Sequence, residues 1–286
     1  MAQKPGKTEQ LQSPVIRVVN VAKHFNGKTV LDGVSLDVMP GCTMVIMGGS
    51  GCGKSTLLRI ITGLIWPDEG HVELLGRDLN TISDQELDGL RKKFGILFQS
   101  GALFNSLTVG ENVALPLREH TDLDDETIDI MVRIKLELVG LREAVELMPS
   151  ELSGGMKKRA GLARAIALDP EILFYDEPSA GLDPVMTADI DHLIMDLSDK
   201  LGVTSVVVTH DIDSAFRVGD RMAMLDKGRV LKTGTVAEFR AIRDGPPGGD
   251  ETAATVRQFL RGESEGPITR RKIGTAYERD ILDGRR

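Results

Sequence analysis

The chain has 286 residues, with 35 Lys and Arg against 43 Asp and Glu, a formal charge of -8, and 41% hydrophobic residues. This balance suits a globular fold with a sizeable core, and it argues against nucleic acid as a partner, because no local basic face offsets the acidic field. The longest apolar runs, such as residues 43–47 and 205–208, are too short to span a bilayer, and the polar start at residues 1–14 lacks a signal-peptide core. A cytosolic chain without direct membrane insertion is expected, its two cysteines, Cys42 and Cys52, reduced and serving as packing residues.

In chain order, residues 1–14 read as a flexible lead-in. Short apolar runs at 15–21, 34–38, 43–47 and 71–74 follow, with close turns at Asn26-Gly27 and Pro40-Gly41, and predict an antiparallel layer against a parallel core. A helix is predicted over 55–62, and helical patterning dominates from 84 to 167, which defines a helical subdomain at about 100–167. Within it, Ile128, Met131, Val132, Lys135 and Leu136 recur at three-to-four spacing over 127–139, with Gly140 as the stop signal. Strands return at 172–175, 205–209 and 221–225, apolar on both faces as buried parallel strands must be, and should neighbour the 43–47 strand. The alternation makes the fold class α/β. The breaker Gly245-Pro246-Pro247-Gly248-Gly249 divides a domain over 15–245 from a C-terminal helix at 252–260 and a polar tail to 286.

Gly48-Gly49-Ser50-Gly51-Cys52-Gly53-Lys54-Ser55 fits the pattern G-x-x-x-x-G-K-[ST], between a predicted strand and a predicted helix. Such a loop turns backbone N–H groups onto a β-phosphate, the helix end adds a positive dipole, Lys54 reaches the β- and γ-phosphates, and Ser55 offers its hydroxyl to Mg²⁺. The strand at 172–175 ends in Asp176 and Glu177. Asp176 suits a Mg²⁺ shell and Glu177 can polarise an attacking water, although the pair alone is equally readable as a solvated strand exit. Leu152-Ser153-Gly154-Gly155-Met156 opens a further helix, with Ser153 as cap and the glycines baring N–H groups, and so offers a second anion site. One ATP has one γ-phosphate, so the second site makes most sense against ATP held by another copy.

Together, the stretch 48–55, Gln99, the stretch 152–156, Asp176-Glu177, residues 179–183 and His210 resemble the nucleotide-binding subunit of ABC transporters, over about residues 15–245. The resemblance implies a P-loop NTPase of ABC type whose two copies sandwich two ATPs, with Thr56 joining the phosphate loop and with Ser153, Gly154, Gly155 and Met156 meeting the partner's nucleotide. It assigns Gln99 to the Mg²⁺ and water contacts and to signalling toward a membrane permease. It also assigns Asp183 to communication across the dimer, His210 to γ-phosphate sensing, and Phe25 to adenine stacking. Asp183 would equally cap the helix beginning at Pro184, and Phe25 would equally pack in the core.

A narrower resemblance lies between the motifs. Residues 97–104, 116–121 and 148–151, with Met156 in the signature, look like the Mla/Mce class, ATPases of phospholipid transport in Gram-negative envelopes. It implies a homodimer on the cytoplasmic face of the inner membrane, attached to an integral permease and working with an Mce-domain lipid-binding protein. It also suggests that the tail at 263–286 steadies the dimer. An ABC transporter for another solute, or a soluble ABC-type ATPase, is the competing reading.

Overall fold

The computed structural model describes residues 13–246 and 250–269. Expectations placed on residues 1–12, 247–249 and 270–286, among them the flexible start and the tail's part in dimerisation, lie outside the described residues. The chain divides into a unit over residues 1–236 and a smaller one over 237–286.

The first unit holds two sheets. β1 (Ile16–Phe25) and β2 (Lys28–Val38) form a hairpin through Asn26 and Gly27, whose positive φ angles suit the two-residue turn. β3 (Thr43–Gly48) leaves this layer, and α1 (Lys54–Ile61) follows it at once. β4 (Glu69–Leu74) and β5 (Arg77–Asp78) return to give an antiparallel sheet of order β2-β1-β4-β5. After α2 (Asp84–Arg91), the strand β6 (Phe94–Leu97) begins the second sheet's far edge. Then come α3 (Val109–His120), α4 (Asp125–Leu138) and α5 (Gly154–Ala165), followed by β7 (Ile172–Asp176), α6 (Pro184–Leu201), β8 (Thr204–Thr209), α7 (Ile212–Val218), β9 (Arg221–Asp226) and β10 (Arg229–Thr235). The second sheet runs β10-β9-β3-β8-β7-β6, parallel except for the β9–β10 hairpin at its edge.

Burial explains this order. Every residue of β3 and β8 is buried, and β7 is buried up to Asp176, as central parallel strands covered on both faces require. A core of Ile16, Leu36, Ile46, Leu57, Ile61, Phe174 and Leu225 joins the two sheets across α1. β3 therefore has β8 and β9 as direct neighbours, and β7 lies one strand further out.

Helices α3, α4 and α5 fill most of the stretch over 100–167, and β6 interrupts the longer helical stretch near its start. Capping boxes open α2, at Ser83 and Glu86, and α3, at Thr108 and Glu111. α4 buries Ile128, Val132, Lys135 and Leu136 and ends at Leu138, and Gly140 just past its C-cap takes the left-handed φ of 69°. Lys135 belongs to the buried stripe because its ammonium reaches Asp169, 2.5 Å away.

In the second unit, α8 (Val236–Asp244) and α9 (Glu251–Arg261) are joined by Arg257 and Arg261, which donate to the carbonyls of Ile242 and Arg243. The segment after α9 folds back on it: Gln258 accepts from the Ile268 N–H at 2.8 Å and donates to Thr269 Oγ1 at 2.8 Å.

Candidate active site

The phosphate loop hangs between a fully buried strand and a helix whose first residue is Lys54. Gly48 takes φ 152°, and a Cβ there would stand 2.2 Å from the Leu225 carbonyl oxygen of the neighbouring strand. Gly53 takes φ 109°, and its Cβ would stand 2.6 Å from Leu31 and 2.9 Å from the Val30 carbonyl of β2. Both positions therefore require glycine on conformation and on space. The loop is also pinned by the Gly228 N–H, which donates to Cys52 O at 3.0 Å. Gly53, as N-cap of α1, supplies no side-chain acceptor, so the helix turns its first N–H groups and positive end toward the loop. Lys54, 7% exposed, folds back to donate to Gly48 O at 2.8 Å and Gly49 O at 3.1 Å.

Three carboxyl-end positions of parallel strands face this loop. The Ser55 hydroxyl donates to Asp176 Oδ1 at 3.3 Å. Burial pushes the Asp176 carboxyl above its usual range, the Ser55 hydrogen bond opposes this, and the Glu177 charge adds to it. Glu177 has a left-handed φ of 50° and donates its N–H to Val208 O at 2.9 Å. That bend sends its side chain to two partners: Oε1 lies 3.9 Å from Lys54 Nζ, and Oε2 lies 2.8 Å from His210 Nδ1. The Glu177 side chain is 12% exposed whereas that of His210 is 61% exposed, so the pair runs from a sheltered acid to an open imidazole.

The signature stretch begins α5. Ser153 is its N-cap, accepting from the Met156 N–H at 3.3 Å, and Ser153 and Gly154 are exposed while Met156 is half-buried. Gly155 is buried where Met186 of α6 approaches. Asp183 caps α6 through the N–H groups of Val185 and Met186, at 2.9 and 3.0 Å. Phe25 ends β1 44% exposed, with the Lys23 ammonium over its ring 5.4 Å from the ring centre, so core packing is not its role. Thr56 sits half-buried in the first turn of α1.

Gln99 follows β6 by two residues and is exposed, and its backbone carbonyl is held at the site by Lys158. Lys158 also donates to Glu177 O at 3.2 Å. Sequence reading missed Lys158: it stands among Lys157 and Arg159 in a helix, where a charged run reads as a solvated face, and only the fold shows it buried.

A cradle for phosphates, a carboxylate aimed at its mouth and an adjoining imidazole define a nucleotide-hydrolysing P-loop ATPase. The comparisons make the assignment narrower. The ABC transporter family model matches residues 31–180. The intermembrane phospholipid transport system ATP-binding protein MlaF of Haemophilus influenzae is 40% identical over 94% of this chain and 98% of its own. The protein of the same description from Escherichia coli is 41% identical over 96% and 99%. A probable ribonucleotide transport ATP-binding protein, mkl, of Mycobacterium leprae is 42% identical over 93% of this chain and 72% of its own. Among solved structures, the dimeric ATP-binding cassette MJ0796, in a post-hydrolysis state bound to ADP and Pi, superposes with a TM-score of 0.71 at 34% identity, covering 77% of this chain and 98% of that one. The chain belongs to the ABC transporter ATP-binding family and is an ATP-binding ATPase.

Proposed function

We propose that this chain hydrolyses ATP as the motor subunit of a system that moves phospholipids between membranes. Near-full-length similarity to two MlaF proteins supports the cargo. The observation that carries the chemistry is the placement of Glu177 between Lys54 and His210.

In this reading, Gly48, Gly49, Ser50, Gly51, Cys52 and Gly53 present backbone to the phosphates, and Lys54 exchanges its two loop carbonyls for β- and γ-phosphate oxygens. Ser55, Thr56 and the positive end of α1 complete the cradle. Ser55 and Asp176 fit Mg²⁺, since both are hard oxygen donors already 3.3 Å apart, and the family resemblance adds Gln99 to the set; the ion would neutralise phosphate charge. Glu177 orients and deprotonates the attacking water, and His210 bonds the γ-phosphate while holding Glu177 in place. Phe25 offers a ring to adenine.

Two copies work together. Ser153, Gly154, Gly155 and Met156 meet the partner's nucleotide, and Asp183 lies on the path between the two sites. The dimeric state of the similar cassettes supports this. In the same reading the chain attaches to the cytoplasmic face of the inner membrane through an integral permease, with an Mce-domain protein as the lipid carrier; no helix among the described residues is long and apolar enough to cross a membrane. The mkl relative supports a second reading, the same motor driving another solute. Affinity purification from membranes decides between them: co-purifying phospholipid, permease and Mce-domain protein support the lipid reading, and a solute-binding protein in their place removes it.

A further inference from the structure

Lys158 lies in the second turn of α5, about 7.5 Å along the helix axis from the signature Ser153, and is 5% exposed. Burying an ammonium is costly, and burial lowers the pKa of this one, with the charges of Asp176 and Glu177 opposing the shift. A methionine or leucine would fill the same space without that cost. What the ammonium does is bond two carbonyl oxygens on separate segments: Gln99, just after β6, and Glu177, just after β7, the latter at 3.2 Å. Glu177 is held in a left-handed conformation that non-glycine residues resist, and its backbone is gripped on both sides, its N–H by Val208 O and its carbonyl by Lys158. Six residues further along α5, Arg164 donates to Gly101 O at 3.2 Å and Ala102 O at 2.8 Å, so the helix holds the Gln99 loop at a second place.

We propose that Lys158 is a positioning residue for hydrolysis, fastening the backbones of Glu177 and Gln99 to the helix whose N-terminus receives the partner's nucleotide. Seating of a phosphate at Ser153 and the aim of Glu177 then share one rigid element. The inference rests on the reading of Glu177 as the residue that activates water.

The test uses the full-length chain in steady-state ATP hydrolysis, with wild type and Glu177→Gln alongside. Lys158→Met should lower kcat by about 10- to 100-fold, the scale of a small misplacement of a catalytic group, with KM for ATP and the unfolding midpoint little changed. Lys158→Arg, which keeps cationic donors, should recover most of the rate; Lys158→Gln, the substitute should the Met variant not fold, should fall between. A kcat for Lys158→Met near wild type overturns the proposal. So does a loss that Lys158→Arg leaves uncorrected at an unchanged unfolding midpoint, which would assign the effect to packing. If Glu177→Gln hydrolyses normally, the reading of Glu177 fails instead, and the two failures are told apart.

Discussion

Glu177 Oε2 accepts a hydrogen bond from His210 Nδ1 at 2.8 Å, while its other oxygen lies 3.9 Å from Lys54 Nζ. One carboxylate thus connects the His210 imidazole to Lys54 at the end of the loop. Glu177→Gln keeps the shape but removes the base and the charge that faces Lys54. We expect ATP binding to persist and turnover to fall by about 100-fold or more. Nucleotide binding measured beside phosphate release checks this, and normal turnover rules out the base assignment.

In the proposed mechanism His210 bonds the γ-phosphate, so His210→Ala removes a donor from the place where charge develops. Turnover should drop by about 10²- to 10³-fold while ATP affinity moves only a few-fold. Equal losses in affinity and kcat would show instead that His210 serves ground-state binding.

Gly48→Ala places a Cβ 2.2 Å from the Leu225 carbonyl, which is backbone and cannot step aside. The variant should lose roughly 1–3 kcal/mol or more of stability, together with nucleotide affinity. Gly49→Ala, where an added Cβ meets nothing within 4 Å, is the control. Urea unfolding of the two variants separates the local clash from a general effect of substitution.

Burial, reinforced by the nearby Asp220 charge, raises the Cys42 thiol from 9.0 to about 11. At pH 8 its alkylation should be about a hundredfold slower than that of an ordinary thiol, and the rate should climb until pH passes about 11. The unfolded chain releases this proton first, so Cys42 makes stability decline as pH rises from about 9 to 11. Alkylation followed by mass spectrometry, site by site, measures the rate.

What the sequence disclosed depended on how locally each feature is encoded. The phosphate loop is a contiguous pattern between a strand and a helix, so position and role come together. Strand β6 was obscured because it is four residues, Phe94–Leu97, without alternation, inside a stretch of helical periodicity. The β1–β2 hairpin extends past the runs at 15–21 and 34–38 because register shifts after Val18 and Val21 break the two-residue period. Lys158 was hidden for a different reason. Its burial depends on the loop after β6 and the bend after β7 closing over one face of α5, a convergence of segments 59 and 19 residues away.

Helix α1 is preceded by an N-cap residue, Gly53, that has no side chain to cap it. Most helices complete their first turn with a serine, threonine or aspartate, as α2, α3 and α6 do here. α1 instead leaves that task to whatever anion arrives, so the bound phosphate becomes a structural member of the fold. Occupancy and rigidity at this end of the sheet are then one variable, and even inorganic pyrophosphate should raise the melting temperature as ordinary mass action requires.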